Sequence, residues 1–401
     1  MKGKLSLLAL WLLLGTLIAL LTVVNPTHYV STDSQYYLSM AGWLVGLNGD
    51  QYGHRATGWD STFPVGYPLL IGVLARLTEI SLLVASKWLN VLTIAVVMIV
   101  WQYRLGSRAI IWMATVLLLG GYVRLITYTW SEWIFIVVLL EWLWLAKQFQ
   151  PPSYRLSIRL SVITMALFLL RYVGGYVVVA YGLRAAVYFW TAQNRITILQ
   201  LGPVLVYGLI SGGFMLGYFY VNSWLTGSPY GGERFVESGE TVLAKVYVLS
   251  LAPLNELLLL RDHIPGEPAA LVWLGLLLQL SLLAWLWRII RLRRETIVPP
   301  SKLEKQLFSV WLWASVTYLM VLFTMRWFSP FSGPNARMMA PATLPLLMGV
   351  ALWVSRWPNL TLRRQVARWW VIFLLASWLQ LLPQADFSTK FRRFFNTETR
   401  R

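Results

Sequence analysis

The stretch LSLLALWLLLGTLIALLTVV, residues 5–24, carries no charged side chain. A helix needs roughly 20 mostly apolar residues to cross the about 30 Å hydrocarbon layer of a bilayer. Further runs of this kind follow, at about 81–103, 109–126, 131–147, 157–171, 174–190, 196–222, 269–290, 307–326, 338–355 and 369–383. Together with the first run, they predict about eleven transmembrane helices.

The composition agrees with a membrane protein. Hydrophobic residues make up 58% of the 401 residues, charged residues only 12%, and the mean hydropathy is +0.61. One soluble core cannot bury that much apolar surface. The short alternating segments typical of an outer-membrane barrel are absent. We therefore predict an all-α polytopic membrane protein in which residues 1–401 form a single transmembrane domain.

The charge pattern predicts an orientation rather than a nucleic-acid partner. The net charge is +18, but the 34 Lys and Arg residues are spread over helix ends and do not form one basic domain. Short segments rich in Lys and Arg face the cytoplasm. By this rule the N-terminus, with Lys2 and Lys4, lies in the cytoplasm. We expect the chain to lie in the inner membrane of the cell. No small-residue cleavage site follows residue 24, which predicts an uncleaved anchor.

Two polar segments, 25–80 and 223–268, are too long to be simple turns, and this topology places both outside the cytoplasm. In the first, residues 34–47 have apolar side chains at helical spacing and predict a helix lying along the membrane surface. Residues 67–77 are apolar but too few to span, which predicts a second interfacial helix. The chain contains no cysteine, so it forms no disulfide and offers no thiolate ligand.

Five motifs occur in a fixed order along residues 5–350: STDSQYY (31–37), FPVGYPLL (63–70), WSEW (130–133), LRYVG (170–174) and NSWLTGSP (222–229). In this order they resemble bacterial relatives of the dolichyl-phosphate-mannose protein mannosyltransferases. That group is glycosyltransferase family 39, within the membrane-embedded GT-C enzymes. Each motif alone is weak, and their order carries the resemblance.

The resemblance implies a GT-C fold and an inverting transfer of a hexosyl or pentosyl group. The donor would be a polyprenyl-phosphate-linked sugar, and the acceptor a protein, lipid or glycan on the extracytoplasmic side. A phosphate leaves without protonation, so one carboxylate suffices, and Asp33 is the candidate general base. Ser34 stands where many relatives have a second acid. We therefore predict no metal ligands and leave a requirement for a divalent cation open.

Three arginines lie at helix ends on the predicted outer side: Arg171, Arg326 and Arg337. A guanidinium group binds phosphate oxygens through two parallel N–H donors, which makes these residues candidates for the donor phosphate. An arginine near the apolar layer is also costly to insert. The alternative for each is that it reaches lipid headgroups or pairs with an acid.

Five further residues are candidates for substrate contact: Tyr36, Tyr37, Asp60, Tyr67 and Glu132. Glu132 opens a predicted helix, so its alternative role is to complement the helix dipole. The alternative for Asp60 is a solvated loop acid.

Asp33 has an alternative as well, as the N-cap of the helix that follows it. His28 and His54 share the first polar segment, but they lack the spacing of a zinc site.

Two other classes of protein remain open. A transporter or flippase of lipid-linked sugars would also be basic and polytopic, but many transporters are internally duplicated, and no duplication is visible in this sequence. A noncatalytic subunit of a membrane assembly is the second alternative, and the ordered motifs favour an enzyme over it.

Overall fold

The structure is a computed structural model that describes residues 2–49, 56, 58–147, 153–191, 198–231, 240–257, 259, 269–292, 299–328 and 335–381. Within these ranges all regular structure is helical, which confirms the predicted all-α class. The fifteen α-helices described are α1 (Lys2–Val24), α2 (Thr32–Val45), α3 (Gly66–Thr78), α4 (Leu82–Leu105), α5 (Ser107–Val116), α6 (Gly120–Thr127), α7 (Glu132–Ala146), α8 (Tyr154–Leu170), α9 (Tyr176–Thr191), α10 (Ile198–Thr226), α11 (Val242–Leu257), α12 (Ala269–Leu292), α13 (Lys302–Phe328), α14 (Ala336–Ser355) and α15 (Leu360–Ser377).

In the described part of the chain, seven helical segments are long and apolar enough to cross a membrane. They are Leu5–Val24, Leu82–Leu105, Tyr172–Trp190, Leu201–Thr226, Trp273–Leu292, Lys302–Phe328 and Ala336–Ser355. An eighth span results if α5 and α6, which are bent by 81° at their junction, count as one. The prediction of a polytopic membrane protein is confirmed.

The predicted number of eleven spans is not confirmed. Every predicted run overlaps a described helix, but the run 109–126 covers two of them, α5 and α6, and α7 has only 15 residues and α8 only 17. At 1.5 Å per residue, α7 is only about 22 Å long, which is shorter than the hydrocarbon layer. The last predicted run, 369–383, overlaps α15. That helix begins at Leu360 and carries Arg363, Arg364 and Arg368, so its first half is not apolar.

Two short helices, α2 and α3, occupy the first polar segment, as the sequence predicts. They pack closely: a Cβ atom added at Gly72 would lie 2.8 Å from the carbonyl oxygen of Ala41. The N-cap of α2 is Ser31, and its side chain and that of Ser34 form a reciprocal capping box. The alternative of Asp33 as N-cap is therefore wrong, because the helix begins one residue before it and places Asp33 in the first turn.

The ends of the helices form two groups. At one end, Arg356 donates a hydrogen bond to the carbonyl oxygen of Leu105 and pairs with Glu304, so α4 ends where α13 begins and α14 ends. At the other end, α4 begins beside the end of α6, where Lys87 contacts Thr127. The motif residues gather at this second end.

Candidate functional site

The first turn of α2 carries Asp33, whose side chain is 35% exposed. Two hydrogen bonds fix α2 against the segment that precedes α7. The indole Nε1 of Trp130 donates to Ser31 Oγ at 2.7 Å, and the Tyr37 hydroxyl lies 3.0 Å from Ser131 Oγ. The STDSQYY and WSEW motifs, which are far apart in sequence, are therefore in direct contact.

Four charged residues form an ion cluster at this end of the bundle: Asp33, Glu132, Arg171 and Arg337. Arg337 Nη1 lies 2.7 Å from Asp33 Oδ2, and Arg337 Nε binds Glu132 Oε1. Arg171 pairs with the same Glu132 oxygen. The cluster combines two carboxylates with two guanidinium groups, so their charges balance.

Glu132 is the buried centre of the ion cluster, with only 1% of its side chain exposed. A buried carboxylate is tolerated only when opposite charges and hydrogen bonds compensate for its desolvation. Both arginines contact Oε1, whereas the buried Oε2 has no hydrogen-bond partner among the described residues. Glu132 thus holds the two guanidinium groups side by side.

The LRYVG motif places Arg171. This residue caps α8 with an extended backbone, and its carbonyl oxygen accepts from the amide of Gly174 at 2.7 Å. A Cβ atom at Gly174 would lie 2.5 Å from the carbonyl of Leu167, so the tight turn after Arg171 requires glycine at that position.

An aromatic stack lies beneath Arg337. The guanidinium carbon is 4.1 Å from the centre of the Trp130 ring. Trp130 stacks on Tyr128 with centroids 3.7 Å apart and ring planes 3° apart, and Tyr29 meets Tyr128 edge-on. Sequence reasoning did not single out Trp130 as a site residue, although it stands inside the WSEW motif.

Two buried polar residues of α4 hold the backbone that leads to this stack. Lys87 Nζ donates to the carbonyl oxygen of Thr127, and Asn90 Nδ2 donates to that of Ile126, each at 2.6 Å. Both carbonyl groups belong to the last turn of α6, where no amide further along the helix donates to them. Sequence reasoning missed both residues, whose signal was a lysine and an asparagine inside the apolar run 81–103.

Tyr37 and Tyr67 are both buried, with ring centroids 5.1 Å apart. Burial raises the pKa of Tyr37 to about 12, so its phenol stays neutral. Tyr36 is half-buried and its ring lies 6.0 Å from that of Phe63. These rings pack the first polar segment, and their contact with a substrate stays a prediction.

Asp60 lies on a loop that docks against the end of α10. Its Oδ1 accepts from the amide of Thr62 at 2.7 Å. The neighbouring Trp59 donates to Asn222 Oδ1, and Asn222 Nδ2 donates to the hydroxyl of Tyr172, each at 2.9 Å. The NSWLTGSP motif therefore anchors the loop beside Arg171, and a sugar contact for Asp60 stays a prediction.

The structure places Arg326 with Glu240, at 2.8 Å between Nη2 and Oε2. On the same helix, the Tyr318 hydroxyl donates to the carbonyl oxygen of Met338, so Tyr318 is level with the start of α14. Arg326 is two turns further on, about 12 Å along the axis. Of the three candidate arginines, only Arg171 and Arg337 meet Asp33 and Glu132 in one cluster.

In the part of the chain that the structure describes, no group of three or more His, Asp or Glu side chains is arranged to hold a metal ion. The His28 ring nitrogen Nδ1 donates to the carbonyl oxygen of Thr22 at 2.9 Å. His54 lies outside the described residues. Whether a divalent cation takes part stays open.

An apolar cavity of about 490 Å³ lies between α5, α6, α11, α12, α14 and α15. Five tryptophans line it: Trp112, Trp353, Trp357, Trp369 and Trp370. On α14 the lining runs from Ala336, next to Arg337, to Val354, a distance of about 27 Å along the helix. The lining also includes Glu256, Gln279 and Gln380, and Ala336 is its lining residue nearest in sequence to the ion cluster.

No protein-family model matches this chain, and no curated protein matches it. Among solved structures, it is similar to the crystal structure of ArnT from Cupriavidus metallidurans in the apo state. The identity is 15%, the match covers 86% of this chain and 77% of that one, and the TM-score is 0.39. A likeness at this level supports no conclusion about activity or site.

Proposed function

We propose that this chain is a GT-C-type membrane glycosyltransferase that transfers a sugar from a polyprenyl phosphate to an acceptor, with inversion. One observation carries the proposal. The ion cluster pairs a partly exposed carboxylate, Asp33, with Arg337, which shares Glu132 with Arg171, and Ala336 beside Arg337 lines an apolar cavity. A lipid-linked sugar phosphate has the matching parts in the same order: an apolar chain, an anion and a reactive sugar carbon.

In the proposed reaction, an acceptor hydroxyl or amine attacks the anomeric carbon of the donor. The bond between that carbon and the phosphate oxygen breaks, and polyprenyl phosphate leaves with the electron pair. Asp33 accepts the proton of the nucleophile, which requires it to approach to about 2.6 to 3.2 Å. Its 35% exposure leaves one side of the carboxylate open to an incoming acceptor.

Arg337 and Arg171 are the proposed ligands of the donor phosphate. Guanidinium groups suit phosphate because they offer two parallel donors and carry a permanent charge. Glu132 contacts both guanidinium groups from the buried side. It thereby orients the two arginines and leaves their other N–H groups to bind the phosphate. In this proposal Glu132 therefore positions the phosphate ligands, and Arg326 does not belong to the site.

The apolar cavity along α14 is the proposed place for the prenyl chain. Its lining residues on α14 span about 27 Å of helix, which is close to the thickness of a hydrocarbon layer. Because Ala336 lines the cavity and Arg337 follows it in the chain, a chain lying there would carry its phosphate to the cluster.

We further propose that the ion cluster faces the extracytoplasmic side of the inner membrane. The opposite end of the bundle carries Arg104, Lys147 and Arg356, which favours the cytoplasm for that end. The segments 25–80 and 223–268 would then be external.

The test uses purified protein in liposomes with a labelled polyprenyl-phosphate sugar and a membrane extract as the source of acceptors. A transferase moves the label to an acceptor and releases polyprenyl phosphate. A flippase, the alternative, carries the labelled lipid across the bilayer without breaking it. Movement without cleavage would overturn the proposal, and equal transfer by the Asp33→Asn variant would remove Asp33 as its general base.

A further inference from the structure

Trp130 makes contacts on three sides. One face of its ring stacks on Tyr128 at 3.7 Å, and the guanidinium of Arg337 lies 4.1 Å above the ring. The Tyr128 ring is nearly parallel to the Trp130 ring, so the two stack face to face. The indole N–H donates to Ser31 Oγ, the N-cap of the helix that carries Asp33.

An aromatic platform for a sugar needs an open ring face, whereas the half-buried Trp130 ring already stacks on Tyr128 and lies under Arg337. The ring instead touches the proposed phosphate ligand and, through Ser31, the helix of the proposed base. It also stands two residues before Glu132, which binds Arg337 from the buried side.

The ring is itself held firmly. Tyr29 packs edge-on against Tyr128 with centroids 4.8 Å apart, and Ser86 Oγ lies 2.8 Å from the hydroxyl of Thr129. Lys87 and Asn90 bind the carbonyl oxygens just before this segment. The segment that carries Trp130 is therefore held by contacts that do not involve Arg337.

We propose that Trp130 is a positioning residue that sets Arg337 and Asp33 in register for the transfer reaction. This inference rests on the proposed function and extends it. The ring supports the guanidinium through a cation–π contact, which uses none of its N–H donors and leaves them to carboxylate and phosphate oxygens. The indole N–H separately fixes the start of α2, and with it the carboxylate.

The two contacts have separate kinetic consequences. Trp130→Leu removes the ring, so the donor KM rises and kcat/KM falls by about tenfold or more, the size of a partly desolvated cation–π contact. Trp130→Phe keeps a ring under Arg337 and loses only the N–H. It is expected to lower kcat with a smaller change in the donor KM. Ser31→Ala, which removes both the acceptor of that N–H and the N-cap of α2, is expected to lower kcat at least as much.

The matched control is Trp133→Phe in the same motif. Trp133 is buried and donates to Thr93 Oγ1 at 2.9 Å, so its loss lowers thermal stability and leaves the donor KM unchanged. A purely structural role for Trp130 would give the same result as this control.

Binding of a sugar-free polyprenyl phosphate, measured by titration calorimetry in detergent, separates this inference from the proposed function. Weaker binding by Trp130→Leu, about tenfold, with unchanged binding by Trp133→Phe is the expected result. If the wild-type protein transfers sugar and folded Trp130→Leu keeps the wild-type KM, kcat and lipid affinity, the inference fails and the function stands. If the wild-type protein neither transfers sugar nor binds the lipid, the function fails and the inference falls with it.

Discussion

Arg337 Nη1 lies 2.7 Å from Asp33 Oδ2, which joins the beginning of α14 to the first turn of α2. The same guanidinium binds Glu132 through Nε, so one side chain spans an exposed acid and a buried one. The site is therefore assembled from distant parts of the chain. A donor phosphate that enters it would meet a guanidinium already oriented by two carboxylates.

Replacing Asp33 by asparagine tests the proposed base. Asn keeps the size of the side chain but cannot accept the proton, so the transfer rate is expected to fall by about 10² to 10⁴. The rate of label transfer in liposomes is the measurement, and Glu79→Gln is the control, because Glu79 is an exposed acid of the same polar segment. A rate within a factor of about three of wild type would remove Asp33 from the mechanism.

Replacing Arg337 by lysine tests the proposed phosphate ligand. Lysine keeps the charge, but its three N–H donors lie on one nitrogen, so it does not reproduce the planar fork that reaches Asp33, Glu132 and a phosphate together. The donor KM is expected to rise about tenfold or more. Arg326→Lys is the matched control, because Arg326 pairs with Glu240, and its donor KM should stay at the wild-type value. The reverse pattern would move the phosphate site to Arg326.

Glu132→Gln tests the buried centre of the cluster. Removing one partner of a buried ion pair leaves uncompensated charge and costs about 3 to 5 kcal/mol of stability. Thermal unfolding in detergent is expected to show a clear drop in Tm. Glu141→Gln is the control. Glu141 pairs with Arg104 but is one-third exposed, so this variant should lose much less stability. Equal losses in the two variants would contradict the burial argument.

Filling the apolar cavity tests its role for the prenyl chain. Leu347→Trp adds volume to its lining on α14, so transfer from a long-chain donor should weaken while transfer from a short-chain donor is kept. Val371→Trp, at an exposed position of α15, is the control. The measurement is the donor KM of each variant as a function of the prenyl chain length. An unchanged dependence on chain length in Leu347→Trp would place the chain elsewhere.

The helices, including the short α2 and α3, were predictable because hydropathy and capping are local. Runs such as 5–24 are apolar whatever they pack against, and α2 and α3 follow from short periodic patterns. The capping of α2 was harder, since Ser31 and Asp33 are both good N-cap residues and only the backbone shows which one begins the helix.

The sequence by itself determined that this is a helical membrane protein whose first polar segment holds an acid between apolar runs. The tertiary structure alone decided which charges meet: Arg337 with Asp33 and Glu132, Arg326 with Glu240, and Trp130 beneath Arg337. The physical reason is that hydropathy acts residue by residue, whereas an ion pair or a ring contact forms only between groups that packing brings within a few ångströms. Nothing in the spacing of the three arginines distinguishes Arg171 and Arg337, which join the ion cluster, from Arg326, which pairs with Glu240.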